Sequence, residues 1–410
     1  MQHCCETAIP EPLDVGTATQ RLLSATTALD AIEQIPLTAA LRRVLAADQR
    51  AAIDVPGHDN SAMDGYALNS GDLDTHGRRL RISQRIPAGS TPGPLEPGTA
   101  ARIFTGAPLP PGADTVVMQE NCRQDGEEVV LPEVVGRGDH VRRAGEDIAR
   151  GDIVLARGTR LAPPHIGLLA SLGLETVPVV RRPCVAVIST GDELVEPGHA
   201  LAAGQIFNSN RYLLNALLHS LGCDVVDLGR VGDKLPATVA ALERAGGGAD
   251  LVLSSGGVSV GEEDHVRAAV EQLGSLELWR INIKPGKPVA YGRVGNTPFL
   301  GLPGNPVSAF VTFCLFARPI LLKLMGAAEV LPAVWRAPAD FARPVSGARV
   351  EYTRARLNPG RTGRVVSLYP QQGSGVLSSA AWANALAIIP PRSAIRPGDM
   401  LDVLPFCELF

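Results

Sequence analysis

Cysteine is sparse and unpatterned in this chain. The seven cysteines among its 410 residues stand at positions 4, 5, 122, 184, 223, 314 and 407. Their number is odd, no C-x-x-C occurs, and no Cys/His cluster has zinc-site spacing, so neither a disulfide framework nor a structural zinc site is expected. Free thiols in a reducing cytoplasm are the simplest reading. A charge of one sign is missing too: 38 Lys+Arg against 42 Asp+Glu leave a net −4, far from the basic footprint of a nucleic-acid binder. No basic region followed by an apolar core opens the chain, so no signal peptide is expected. The most apolar run, Val307 to Met325, is broken by Arg318-Pro319 and Lys323, which favours a buried helix over a membrane span. Internal repeats and low-complexity segments are also lacking.

What is abundant is punctuation. With 43 Gly and 33 Pro the chain is rich in turns, and its length implies two to four domains. Thr17 to Leu29 and Leu37 to Ala47 read as helices. From 53 to 145, short apolar runs such as Thr115-Val116-Val117-Met118 alternate with Pro/Gly turns, the texture of a small β domain. Pro163-Pro164 opens a helix that Gly173 closes, and residues 146–180 are expected to rejoin residues 10–52 as one discontinuous N-terminal linker and dimerisation domain. Residues 181–328 alternate strands and helices, which predicts a doubly wound parallel sheet. Residues 329–410 return to β texture and are expected to form a small barrel. The fold class is therefore α/β and β, multidomain.

One stretch of the α/β part organises the rest. Leu251 to Leu253 is an apolar run, Ser254 to Gly261 is built of small residues, and Val266, Ala269, Val270 and Leu273 recur at helical spacing before Gly274 stops the helix. Strand, Gly-rich loop and helix can turn backbone N–H groups toward an anion. The G-x-G-x-x-G spacing is absent, and no Gly-Lys-Ser/Thr follows, so neither a dinucleotide fingerprint nor a P-loop is present. Glu262, Glu263 and Asp264 at the loop's exit conflict with a bare phosphate cradle. A divalent cation bridging carboxylate and phosphate would remove that conflict, while acids at a helix start explain it without any ligand.

Two further loops fall at predicted strand ends: Ser189-Thr190-Gly191-Asp192-Glu193-Leu194 and Leu302-Pro303-Gly304-Asn305-Pro306-Val307-Ser308. Ligands of open parallel sheets bind beyond the carboxyl ends of the strands, so three small-residue loops at one edge favour an anion site there. Arg280, Lys284 and Lys287 supply positive charge, and Pro285-Gly286-Lys287-Pro288 fixes the angle at which Lys287 is presented. Taken by themselves, the acidic spots at 56–67 and 141–148 read as an Asx-type turn and a solvated linker.

These strings together resemble the molybdopterin molybdenumtransferase family, the MoeA proteins, which includes the E domain of gephyrin. The resemblance runs from about residue 10 to the end. It rests on Asp59-Asn60-Ser61-Ala62-Met63-Asp64-Gly65-Tyr66-Ala67, Arg102-Ile103-Phe104-Thr105-Gly106-Ala107, Arg143-Ala144-Gly145-Glu146-Asp147, the three loops above, and Lys284-Pro285-Gly286-Lys287-Pro288. His58 stands where the family usually has an aromatic, and Arg280 where some members carry Lys.

The resemblance implies a four-domain subunit in a cytoplasmic homodimer, the α/β domain of one subunit facing the small β domain of the other. It implies insertion of molybdate into adenylylated molybdopterin, with loss of AMP and release of molybdenum cofactor, assisted by Mg²⁺ or Zn²⁺. The residues carried over as catalytic are Asp59, Thr105, Asp147, Glu193, Asp264, Arg280 and Lys284, with Glu193 and Asp264 as the metal ligands. Those carried over as binding the pterin phosphate and its neighbours are Thr190, Gly191, Asp192, Ser254, Ser255, Gly256, Gly257, Val258, Ser259, Lys287, Pro303, Gly304, Asn305, Pro306 and Ser308. An adenylyltransferase and acceptor molybdoenzymes are the implied protein partners, with neither nucleic acid nor membrane. The alternatives are a molybdopterin adenylyltransferase, which needs only the α/β unit, and a gephyrin-like scaffold without turnover.

Overall fold

The structure is a computed structural model that describes residues 12–257, 265–360 and 363–410. At its centre lies a six-stranded sheet. Its strands, in chain order, are β1 (Cys184–Thr190), β2 (Asp224–Val231), β3 (Leu251–Ser255), β4 (Gly274–Arg280), β5 (Pro288–Val294) and β6 (Thr297–Leu302). In space they run β2-β1-β3-β6-β5-β4. Strands β2, β1, β3 and β6 are parallel, as the alternation predicts, whereas β5 and β4 are antiparallel additions at one edge. That edge is mixed because β5 and β6 are joined through Gly295-Asn296, too short a link for the crossover that parallel strands require.

Alternation along the strands buries both faces. Val185, Val187, Leu251, Leu253, Leu300 and Leu302 pack with helix α1 (Ser209–Leu221) on one side. Ala186, Ile188, Val252 and Phe299 pack with α2 (Leu235–Gly246) and α3 (His265–Leu273) on the other. Gly274 ends α3 and begins β4. The apolar run forms α4 (Pro306–Leu324), which is long and apolar enough to cross a membrane but is 94% buried inside the protein. Its middle, Phe313–Ala317, is wound as a π-helix, and its Arg318 donates to the carbonyls of Leu409, Val330 and Glu408.

The first N-terminal helix is shorter than its periodicity predicts, spanning Val15–Ser24 with Asp14 capping the N–H of Thr17 at 2.9 Å. The helix expected over Leu37 to Ala47 does not form. Leu37–Ala39 makes one 3₁₀ turn, Arg42 sits at φ 65°, and Val44 and Leu45 bridge to Arg160 and Val179. Tertiary pairing overrides the local pattern here, because Leu45 is fully buried against Val177 and Val179 only in the extended form. Ile32–Pro36 pairs with Thr176–Val180, and Gln49–Arg50 with Ile153–Leu155. Residues 65–130 carry a separate six-stranded sheet.

In the C-terminal part, Trp335–Pro338, Met400–Pro405, Ala385–Ile389, Val350–Gly360 and Gly363–Leu368 pair in that order. A bridge from Ala339 to Val366 joins the two ends, so the sheet closes as a barrel. Ile283–Lys284 pairs parallel with Val350-Glu351 and ties the barrel to the central sheet.

Candidate active site

The topological switch of the sheet lies at β1. The chain leaves β1 for β2 on one side and returns to β3 on the other, so the loops after β1 and β3 diverge and leave a crevice between them. Ser189 pairs with Ser255, and Ser255 with Leu302, so the ends of β1, β3 and β6 are level and adjacent. A cleft of about 1110 Å³ opens over these three ends.

Its lining includes Thr190, Gly191 and Glu193 from the first loop, Ser255, Gly256 and Gly257 from the second, and Pro303, Gly304, Asn305, Pro306 and Ser308 from the third. Gly256 at φ 88° and Gly257 at φ 66° occupy the left-handed region. A Cβ on Gly257 would stand 2.4 Å from Cγ2 of Val266 and 2.9 Å from Oγ1 of Thr190, so only glycine lets this loop fold against α3 and β1. Ser254 is 1% exposed and lies behind the lining, its hydroxyl 3.5 Å from the carbonyl of Gly256. Asp192 does not line the cleft; its carboxylate caps the N–H of Asp233 at 3.4 Å. Val258, Ser259 and Asp264 lie outside the described residues.

Positive charge reaches the cleft from the β4–β5 connection. Lys284 and Lys287 both line it and are exposed. Gly286 stands between them at φ 101°, where the close approach of Thr312 leaves no room for a side chain. Arg280 is not part of the lining; it closes β4, and its carbonyl accepts from the N–H of Leu13 at 2.8 Å.

Several lining residues are absent from the expected set: Asn208, Asn210, Asp233, Arg349 and the Gln372–Gly375 loop, with Ile206 and Phe207 at the rim. Gln372-Gly373-Ser374-Gly375 has the small-residue texture of the other three loops, but it lies in the barrel. It reaches the cleft because the carbonyl of Ser374 accepts from the N–H of Val307 at 3.0 Å. Arg354, 1% exposed, steadies it by donating to the carbonyl of Gly373 at 3.1 Å and to Ser379 Oγ at 2.9 Å. Burial pushes the Arg354 guanidinium down to about 10, and it remains a cation at neutral pH.

Asp59, Thr105 and Asp147 do not line this cleft within the subunit. They lie away from it, Asp59 and Thr105 on the small β unit and Asp147 just past its end. Asp59 accepts from the N–H of Ala144 at 2.9 Å and from Arg143 at 2.6 Å, and these partners hold its carboxyl below the usual range, the backbone bond most of all. Thr105 donates to Asp64 through both N–H and Oγ1, at 2.8 and 2.7 Å. Asp147 is exposed, and its N–H donates to the carbonyl of Val55, which brings the 143–148 loop beside 55–59.

Among the described residues, no three His, Cys, Asp or Glu side chains converge as a ready-made metal cage. Mg²⁺ bound beside phosphates needs only one or two carboxylates from the protein, so Glu193 on the cleft wall fits that donor set.

Comparison with known proteins agrees with this architecture. Residues 13–173 match the MoeA N-terminal region (domain I and II), 186–323 a probable molybdopterin binding domain, and 336–406 the MoeA C-terminal region (domain IV). The molybdopterin molybdenumtransferase of Haemophilus influenzae is 38% identical over 388 residues, 92% of this chain and 94% of that protein. Molybdopterin molybdenumtransferase 2 of Mycobacterium tuberculosis is 39% identical over 386 residues, 90% of this chain and 94% of that protein. The crystal structure of the molybdopterin biosynthesis moeA protein from Pyrococcus horikoshii superposes with a TM-score of 0.83 at 29% identity, covering 96% of this chain and all of that one. Over nearly its whole length, then, the chain belongs to the molybdopterin molybdenumtransferase family.

Proposed function

We propose that the cleft over β1, β3 and β6 binds adenylylated molybdopterin, that molybdate enters the dithiolene there, and that cleavage of the phosphoanhydride releases AMP and molybdenum cofactor. The observation that carries this reading is the convergence of three small-residue loops and two lysines on one large cleft at the switch point of the sheet. Backbone N–H groups of Ser255 to Gly257 and the hydroxyl of Ser255 hold phosphate oxygens, and the family resemblance gives Val258 and Ser259 the same role. Lys284 and Lys287 offset the charge of molybdate and of the anhydride, where fixed cations stabilise a developing anion without reorganisation. Gly304, Asn305 and Ser308 line the cleft beside Gly256.

Glu193, with Asp264 beyond the described loop, would hold Mg²⁺ or Zn²⁺. A cation held there would supply charge neutralisation at the phosphates and Lewis-acid polarisation. Positioning accounts for the remaining rate enhancement, so no nucleophile of the Ser–His–Asp kind is required. In this reading the protein is a cytoplasmic homodimer, and Asp59, Thr105 and Asp147 of one subunit complete the site of the other. Release of AMP from adenylylated molybdopterin, dependent on molybdate, tests the proposal. Formation of adenylylated molybdopterin from ATP would indicate an adenylyltransferase instead.

A further inference from the structure

Asn210 sits in the first turn of α1, is 9% exposed, and reaches into the wall of the cleft. Its Nδ2 donates to Ser255 Oγ and to the carbonyl of Gly304, each at 2.7 Å. The orientation of the amide follows from chemistry, since a carbonyl can only accept and the nitrogen must face Gly304. The oxygen of Ser255 therefore accepts from Asn210, and its single hydroxyl proton is left over. No described residue accepts that proton, although Ser255 is 4% exposed and lines the cleft. Two more buried atoms in the same place lack a partner among the described residues, Oδ1 of Asn210 and Oγ of Ser189, the strand neighbour of Ser255. Buried polar atoms are almost always paired, so a cluster of unpaired ones at a cleft marks where a ligand or its water completes the network.

We propose that Asn210 is a positioning residue for the bound anion. It joins the loop after β3 to the loop after β6 through one side chain. By occupying the acceptor side of Ser255, it obliges that hydroxyl to donate into the cleft, toward a phosphate oxygen. The inference rests on the reading of the cleft as an anhydride site and adds to it the group that sets the direction of one donor.

The test is calorimetric binding of AMP and of pyrophosphate to the full chain and to Asn210→Ala, Ser255→Ala and the double variant, with thermal melts alongside. A hydrogen bond to a charged group accounts for roughly ten- to a hundredfold in affinity, so Ser255→Ala is expected to lose about that much for pyrophosphate. Asn210→Ala is expected to lose affinity in the same direction, and the double variant little more than Ser255→Ala alone, because the two act as one unit. Losses that multiply in the double variant, or an Asn210→Ala affinity equal to wild type, would overturn the inference. If Asn210→Ala does not fold, Ser255→Ala decides: unchanged affinity overturns the inference. Failure of the unaltered chain to bind either probe overturns the anhydride reading itself, and the inference with it.

Discussion

Nζ of Lys284 lies 3.5 Å from Oε1 of Glu351, a carboxylate only 4% exposed in the barrel. The same carboxylate is paired with Arg343. A cation on the cleft wall is thus held by a carboxylate of the barrel, because Ile283–Lys284 pairs in parallel with Val350-Glu351 as an edge strand of the barrel's own sheet. The barrel is part of how the cleft places its charge.

Glu351→Gln should therefore act at a distance. It keeps the shape, leaves Arg343 and Lys284 without their anion, and should lower stability by about 1–3 kcal/mol. It should also raise KM more than it lowers kcat, because Lys284 loses its fixed direction rather than its charge. Melting and steady-state kinetics on the same preparation check both; an unchanged KM would detach the barrel from the site.

Gly257→Ala should damage the second loop. The left-handed conformation costs a non-glycine residue about 1–2 kcal/mol, and the new Cβ would collide with Val266 and Thr190. Pyrophosphate affinity should fall together with melting temperature. Gly295, also at positive φ but with nothing near its Cβ, is the control: Gly295→Ala should lower stability alone.

The lowered pKa of Asp59 sets a pH dependence. Its folded value lies below its unfolded one, so its contribution to stability is complete above the unfolded value of about 3.9 and is lost as pH falls through the folded value. Between neutral pH and about pH 5, Asp59→Asn should differ from wild type by a constant amount, and the two melting curves should converge only in the acid range below 3.9. Convergence already at pH 6 would show that Asp59 is not the group responsible.

The sequence discloses the cleft where it punctuates apolar runs with small residues. Thr190-Gly191, Ser255-Gly256-Gly257 and Pro303-Gly304-Asn305 each follow a buried run, and the sheet brings all three together. Gln372–Gly375 has the same texture but lies about 65 residues beyond the third loop, and only packing on Val307 shows that it belongs. Asn208 caps α1, and the bonds of Asn210 to Ser255 and Gly304 leave no local trace in the sequence. Leu37 to Ala47 misleads for the opposite reason: its apolar spacing suits a helix, but Val44 and Leu45 bury themselves against residues 160 and 179 as extended chain.

A shared site across a homodimer makes a quantitative prediction for subunit mixing. Asp59→Asn and Lys287→Ala should each be inactive alone. After dissociation and random reassociation, half of the dimers carry one of each, and each of those has one intact site, so activity should return to roughly a quarter of wild type. No recovery in demonstrably mixed dimers would place Asp59 and Lys287 in the same subunit's site or in none.

The most direct measurement is AMP release from adenylylated molybdopterin by the purified full chain, with excess Mg²⁺, in the presence and absence of molybdate. Molybdate-dependent release of AMP, with molybdenum cofactor formed in equal amount and both abolished in Lys287→Ala, is the predicted result. AMP release indifferent to molybdate and to Lys287, or no release at all from a correctly folded protein, would contradict it.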